Sequence, residues 1–250
     1  MPGTLYLIPN TLGPADPAQA DPLAPLIPSA VQAMTAHLDY FIAENAKTTR
    51  AYLKLVALQH PLAKPLQEIR ISELNVNTDA AALPALLAPL QAGQDGGLIS
   101  EAGVPAVADP GANLVRLAHE RGIPVKPLVG PSSLLLALMG SGLNGQSFAF
   151  NGYLPTDSGQ RMKRIKTLEQ RSRAERQTQL FIETPYRNGP LLEALAATCD
   201  ANTLICVATD LSLPTETIRT RAADRWKKDL AAGQAPDFHR KPTVFLLLAA

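Results

Sequence analysis

At 250 residues, 46% of them hydrophobic and 18% charged, the chain can bury one large core or two of ordinary domain size, and needs no disulfide or metal staple to fold. Lys plus Arg number 23 against 22 Asp plus Glu, and the resulting net charge of +1 excludes both a globally basic nucleic-acid binder and an acidic protein that nucleic acid repels. Any basic surface is therefore local.

The chain opens on Met1-Pro2-Gly3-Thr4 and runs into a short apolar stretch, Leu5–Ile8, without the basic segment and longer apolar core of a signal peptide. No window approaches the roughly 20 apolar residues of a membrane helix, so a cytoplasmic protein without a membrane partner is expected. A proline-rich segment follows, with Pro14, Pro17, Pro22, Pro25 and Pro28 separated by small and acidic residues. It cannot be a helix; it reads as an ordered surface connection or as a lid beside a ligand. Apolar runs then alternate with amphipathic ones at Met34–Ile42, Gly97–Ser100, Leu114–Arg121, Val125–Val129, Ser132–Met139 and Phe148–Asn151. That alternation predicts a mostly parallel sheet covered by helices.

Leu154-Pro155-Thr156-Asp157-Ser158-Gly159 breaks both periodicities and predicts a domain boundary, giving an N-terminal α/β domain over 1–152 and a C-terminal one over 153–250. The second set comprises a charged helix from about Gly159 to Arg176, strand Gln179–Glu183, helix Gly189–Thr198, strand Leu204–Thr209, a helix near Ala222–Leu230 and strand Thr243–Leu248. Cys199 and Cys206 lack metal-ligand spacing and read as buried thiols of a reducing compartment. His37, His60, His119 and His239 are scattered without pairing, so no chemistry and no metal is assigned to them.

In an open α/β sheet, ligands bind beyond the carboxyl ends of the strands, and three strand-to-helix junctions there are rich in Gly, Pro and Ser. In Leu98-Ile99-Ser100-Glu101-Ala102-Gly103-Val104-Pro105-Ala106-Val107-Ala108-Asp109-Pro110-Gly111, Gly103 and Gly111 admit close backbone approach, Pro105 and Pro110 stiffen the loop, and Asp109 can cap the next helix. Leu128-Val129-Gly130-Pro131-Ser132-Ser133 sets two hydroxyls beside a helix N-terminus, where they act as caps or as a polar pocket. In Phe181-Ile182-Glu183-Thr184-Pro185-Tyr186-Arg187, Glu183 and Arg187 either form a simple salt bridge or serve a ligand.

Taken together, these segments resemble the tetrapyrrole methylase superfamily, most closely its branch that methylates the 2′-hydroxyl of a cytidine in 16S ribosomal RNA. Ser100–Gly111 matches the branch's Ser-Asp/Glu-Ala-Gly-x-Pro…Asp-Pro-Gly string, Gly130–Ser132 its Gly-Pro-Ser/Cys turn, and Glu183–Arg187 its Glu-Ser/Thr-Pro-His/Tyr-Arg. Phe148–Pro155 is similar to its interdomain crossing. The likeness runs from about Thr4 to Leu248. It departs at Asn10-Thr11-Leu12-Gly13-Pro14, where the branch has Thr-Pro-Ile-Gly-Asn; at Asn45, where the branch has Asp; and over Asp210–Glu216, which lacks the branch's Arg and Lys.

The resemblance implies two α/β domains of the tetrapyrrole methylase type, S-adenosylmethionine in the interdomain cleft, and a homodimer. Ser100, Glu101, Ala102, Gly103 and Pro105 with Gly130, Pro131, Ser132 and Ser133 are then expected to hold the methionine and ribose portions, and backbone near Ile182 and Ala208 the adenine. A hydroxyl acceptor needs a base, for which Glu183 is the first choice and Glu101 and Asp109 the others. Asn151 and Arg187 are expected at the acceptor. So are Arg161 and Arg164, from a helical run of seven bases, Arg161 to Arg176, that holds only Glu169 and Glu175 as acids and forms either a solvated face or an RNA groove. The expected partner is RNA or the ribosomal small subunit. A tetrapyrrole-like small molecule as acceptor, or a protein that binds the cofactor without catalysis, are the alternatives. A dinucleotide-binding oxidoreductase is disfavoured because no Gly-x-Gly-x-x-Gly follows the first strand.

Overall fold

The computed structural model describes residues 1–16, 18–238 and 240–249. Pro17 of the proline-rich segment and His239 lie outside the described residues. The chain forms two compact units, Met1–Ser132 and Ser133–Ala250.

In the first unit, β1 (Leu5–Ile8), β2 (Tyr40–Ala43), β3 (Arg70–Glu73), β4 (Gly96–Ile99) and β5 (Val125–Pro127) form an all-parallel sheet in the order β3-β2-β4-β1-β5. Four helices connect them: α1 (Ser29–Ala36), α2 (Ala46–Val56), α3 (Leu83–Gln91) and α4 (Gly111–Glu120). Every residue of β2 and β4 is buried, as strands covered on both faces require. Alternation sends Ile8, Phe41, Ala43 and Ile99 into one core with α1 and α2, and Leu5, Tyr40, Ile42 and Leu98 into the other with α3 and α4. Gly97 lets the sheet close: a Cβ there would sit 2.5 Å from Ile8 Cδ1 and 3.0 Å from Phe41 Cδ1.

The expected run Met34–Ile42 is split between the end of α1 and the start of β2, since the chain turns at His37 to Asp39. Leu23 and Ile27 of the proline-rich segment are fully buried against α1 and α2, and Asp21 Oδ1 accepts from the amides of Leu23 and Ala24. That half of the segment is therefore pinned into the core. Asn45 caps α2, its Oδ1 accepting from Lys47 N at 2.9 Å and Thr48 N at 3.3 Å. An amide performs the capping there without a carboxylate.

In the second unit, β6 (Phe148–Tyr153), β7 (Thr178–Glu183), β8 (Leu204–Thr209), β9 (Thr217–Ala222) and β10 (Thr243–Leu248) pair in the order β6-β7-β10-β8-β9. β6, β7 and β8 run one way, β9 and β10 the other. α5 (Ser133–Ser141) lies against β8, β9 and β10, while α6 (Ser158–Glu175), α7 (Asn188–Thr198) and α8 (Ala223–Ala231) share a core with Phe181, Ile205, Val207 and Phe245. Sequence placed the division at residue 152. By compactness it falls after Ser132, because Phe148–Tyr153 pairs with β7 as an edge strand of the second sheet.

Buried charge in this unit is compensated locally. Glu169, 1% exposed, accepts from Asp200 N and Thr203 Oγ1, each at 2.6 Å, and pairs with Lys166. Asp229 pairs with Arg221 and Arg225. Trp226 is fully buried and its indole N–H donates to Ile205 O at 2.9 Å. Among the described residues no helix is long and apolar enough to cross a membrane.

Trp226→Ala should lower unfolding free energy by about 3–5 kcal/mol, measured by urea denaturation. Burial pushes the Cys199 thiol up to about 12 and raises that of Cys206, so both are neutral thiols in the folded state at mildly alkaline pH. Neither should react with a disulfide reagent there, and both should react once the protein is unfolded.

Candidate functional site

β1 and β4 are neighbours, yet the chain leaves β1 toward α1 on one face and leaves β4 toward α4 on the other. Their carboxyl ends therefore diverge at a switch point, from which residues 9–13 and 100–111 lead off.

Asn10, only 6% exposed, ties the two sides together. Its Nδ2 donates to Ser100 O at 3.1 Å and Glu101 O at 3.0 Å, and its Oδ1 accepts from Thr11 N at 2.8 Å. The main chains add Asn10 N to Gly103 O at 2.9 Å and Gly103 N to Thr11 O at 3.3 Å. Gly103 has φ of +67°, and a Cβ on it would lie 3.1 Å from Leu12 Cδ2 and 3.3 Å from Pro131 O. Gly130 packs flat on Pro9, where a Cβ would come within 2.1 Å of the Pro9 Cβ. The loops after β1, β4 and β5 thus interlock. They bring together Ser100, Glu101, Ala102, Gly103, Gly130 and Pro131, with Ser132 next in chain and Ser133 opening α5 in the second unit.

Pro105, Ser100, Asp109 and Glu44 line a small recess at the carboxyl end of β4. Both Asp109 oxygens are engaged, Oδ2 accepting from Ala106 N and Oδ1 from Gly111 N, each at 2.7 Å. Burial nonetheless raises its pKa above the ordinary carboxylate value. The carboxylate holds Ala106 and Ala108 in left-handed backbone, φ 65° and 62°, a conformation costing about 1–3 kcal/mol per residue and concentrated at functional sites. Glu101 differs: it is exposed, and its own amide is anchored by Glu44 Oε2 at 3.1 Å.

At the carboxyl edge of the second sheet, Glu183 has a fully buried side chain. Its Oε1 accepts from Thr184 N at 2.7 Å, Arg187 Nε at 2.9 Å and Arg187 Nη2 at 2.6 Å, while Oε2 has no partner among the described residues. Ile182 lies between Tyr153 and Val244, and Ala208 between Val244 and Ile218, so both sit inside the ladder with strands on either side. Asn151 Oδ1 accepts from Arg164 Nη2 at 3.1 Å, and Arg161 Nη1 donates to Thr156 O at 3.3 Å. The basic run is partly neutralised: Lys166 and Arg173 engage Asp200, and Arg171 engages Glu175. Nearby, Asp210 and Ser212 also hold left-handed backbone, closed by Thr215 Oγ1 on Asp210 Oδ2 and Ser212 N on Glu216 Oε2, both at 2.7 Å.

Sequence reasoning assigned no role to Asn10 or Glu44. The signal for both is positional, since each lies within two residues of a strand's carboxyl end in the open sheet. Among the described residues no group of three or more His, Cys, Asp or Glu is placed to hold a metal.

An open parallel sheet with a Gly- and Pro-built ligand edge, followed by a mixed sheet under helices, defines a two-unit α/β enzyme class. The chain belongs to the tetrapyrrole (corrin/porphyrin) methylases, whose family model matches residues 26–224. It is 32% identical over 216 residues to ribosomal RNA small subunit methyltransferase I of Escherichia coli O157:H7, covering 86% of this chain and 68% of the relative. It is 38% identical over 153 residues to the protein of that name in Mesorhizobium japonicum, covering 61% and 51% respectively, so it spans between half and about two thirds of these relatives. The crystal structure of the methyltransferase CobJ shares the fold, with a TM-score of 0.61 at 16% identity over 99% of this chain and 95% of that one.

Asn10→Ala should cost about 1–3 kcal/mol by leaving Ser100 O and Glu101 O without their donor, and Gly130→Ala about as much through its clash with Pro9. Chemical denaturation monitored on each variant checks both.

Proposed function

We propose that this protein is an S-adenosylmethionine-dependent methyltransferase whose acceptor is RNA of the small ribosomal subunit, modified at a ribose 2′-hydroxyl. The interlocked loops carry the reading, because the contacts of Asn10 with Gly103 and of Gly130 with Pro9 support a ligand edge built from Ser100–Gly103 and Gly130–Ser132. Relatives named for this activity support the substrate. Cytoplasmic location and homodimerisation, the latter read out by sedimentation velocity, go with this reading.

The strained loop after β4, with Ala106 and Ala108 in left-handed backbone at the sheet's switch point, is the observation that fits a bound cofactor. Gly103 and Gly130 let the loops close on Leu12, Pro131 and Pro9 and so fix that edge. When bound, S-adenosylmethionine supplies an electrophilic methyl group on a sulfonium. Ser100, Ala102, Gly103, Pro105, Gly130, Pro131 and Ser132 hold and orient it, and alignment alone is worth roughly 7–11 kcal/mol in such a displacement. The acceptor hydroxyl must lose a proton. Glu183 is fully buried and Asp109 binds two amides, whereas Glu101 is exposed in the loop after β4. Glu101 is therefore the residue proposed to take that proton; in the second unit Glu183 fixes Arg187 for a phosphate of the acceptor, and Asn151, Arg161 and Arg164 are proposed to meet the RNA.

Calorimetric titration should show binding of S-adenosylmethionine, followed by methyl transfer to small subunits from cells lacking this protein. Binding without transfer would move the acceptor to a small molecule; no binding would sink the reading. Glu101→Gln should lower kcat by about 10²–10⁴-fold with cofactor affinity nearly unchanged. Glu183→Gln should instead raise KM for the subunit, because it loosens Arg187.

A further inference from the structure

We propose that Tyr153 and Tyr186 form a stacking platform for unstacked RNA bases at the carboxyl edge of β6 and β7, with Arg164 and Arg187 taking the adjoining phosphates. This rests on the RNA reading above and names the residues that contact the strand.

Large aromatic side chains are normally withdrawn from water, yet Tyr186 is 83% exposed and Tyr153 is 60% exposed. The β6–β7 register sets Tyr153 opposite Ile182, so Tyr153 ends its strand beside the stretch of chain that continues into Tyr186. Tyr186 stands on a rigid base. It is the middle residue of the 3-10 turn Pro185–Arg187, where Arg187 N donates to Thr184 O at 2.9 Å and Pro185 fixes the backbone. Beneath it the buried Glu183 grips Arg187 through Nε and Nη2. The backbone that presents the ring is thus fixed before any base stacks on it.

Two cations lie close to the tyrosines in the chain. Arg187 adjoins Tyr186 and keeps 36% of its side chain exposed. Arg164 is exposed and hydrogen-bonds Asn151, two residues before Tyr153. Aromatic faces interleaved with arginines match single-stranded nucleic acid, whose bases stack while phosphates take the charge. A cleft for a small anionic substrate needs the cations but not the exposed rings.

The test uses the full chain, tritiated S-adenosylmethionine and small subunits from cells lacking this protein. Tyr186→Ala and Tyr153→Ala should each raise KM for the subunit by about five- to a hundredfold, leaving kcat and the calorimetric affinity for S-adenosylmethionine unchanged. Tyr→Phe at either position should restore the wild-type KM, because the ring and not the hydroxyl does the stacking. Arg164→Ala should lower the salt slope of subunit binding, and the tyrosine variants should not. Absence of transfer by the wild type overturns the RNA reading and this inference together. Wild-type transfer with alanine variants of unchanged KM overturns the inference alone. Alanine variants that lose affinity for the subunit, yet bind protein-free 16S RNA as tightly as wild type, also overturn it, since the rings would then touch a ribosomal protein.

Discussion

The first unit depends on the lateral pairing of β1 with β4. These strands are adjacent in space but about ninety residues apart in chain, and they send their helices to opposite faces. The divergence alone would leave two loose loops over a gap. Asn10 converts it into a defined edge by capping two carbonyls of the β4 loop, and Gly103 and Gly130 let a third loop press in without side chains in the way. Everything attributed to the cofactor site follows from that closure.

Carboxylates in this protein are sorted by what surrounds them. Glu169 and Asp229 are buried and matched by bases or amides, Glu183 is buried with Oε1 held by Arg187 and Thr184 N and Oε2 without a partner among the described residues, Asp109 fastens a strained loop, and Glu101 alone among the three candidate bases is exposed. A buried, ion-paired carboxylate cannot exchange partners cheaply, because desolvation has already been met by its fixed neighbours. That is why the chemistry is assigned to an exposed acid and the positioning to buried ones.

Much of this was legible in the chain. The strands Leu5–Ile8, Leu204–Thr209 and Thr243–Leu248 are short apolar runs bounded by turn residues, and they were read with the bounds they have. Ser100–Gly111 and Gly130–Ser132 stood out because close backbone approach demands Gly, Pro and Ser. β3 and β9 were not legible: Arg70–Glu73 and Thr217–Ala222 are half-exposed edge strands carrying arginines, whose pairing comes from their neighbours rather than from any apolar pattern. The expected boundary at residue 152 and the compactness division after Ser132 differ for a related reason, since the turn residues at Leu154–Gly159 mark the end of a strand as strongly as the end of a domain. Glu183 looked available as a base because sequence reports its place at a strand end, while its burial depends on α7 and β10 packed around it.

The same pairing of β1 with β4 has a kinetic side. β4 enters between β2 and β1, two strands made long before it, so β1 has no neighbour and β2 has only β3 until the chain has been synthesised through Ile99. Loop-closure entropy makes such distant parallel pairing slow, and until it happens the apolar edges of β1 and β2 stand open to other chains. A nascent chain halted between α3 and β4 would therefore be a sticky, half-built sheet. Aggregation during production should track the time spent at that length more closely than the stability of the finished fold.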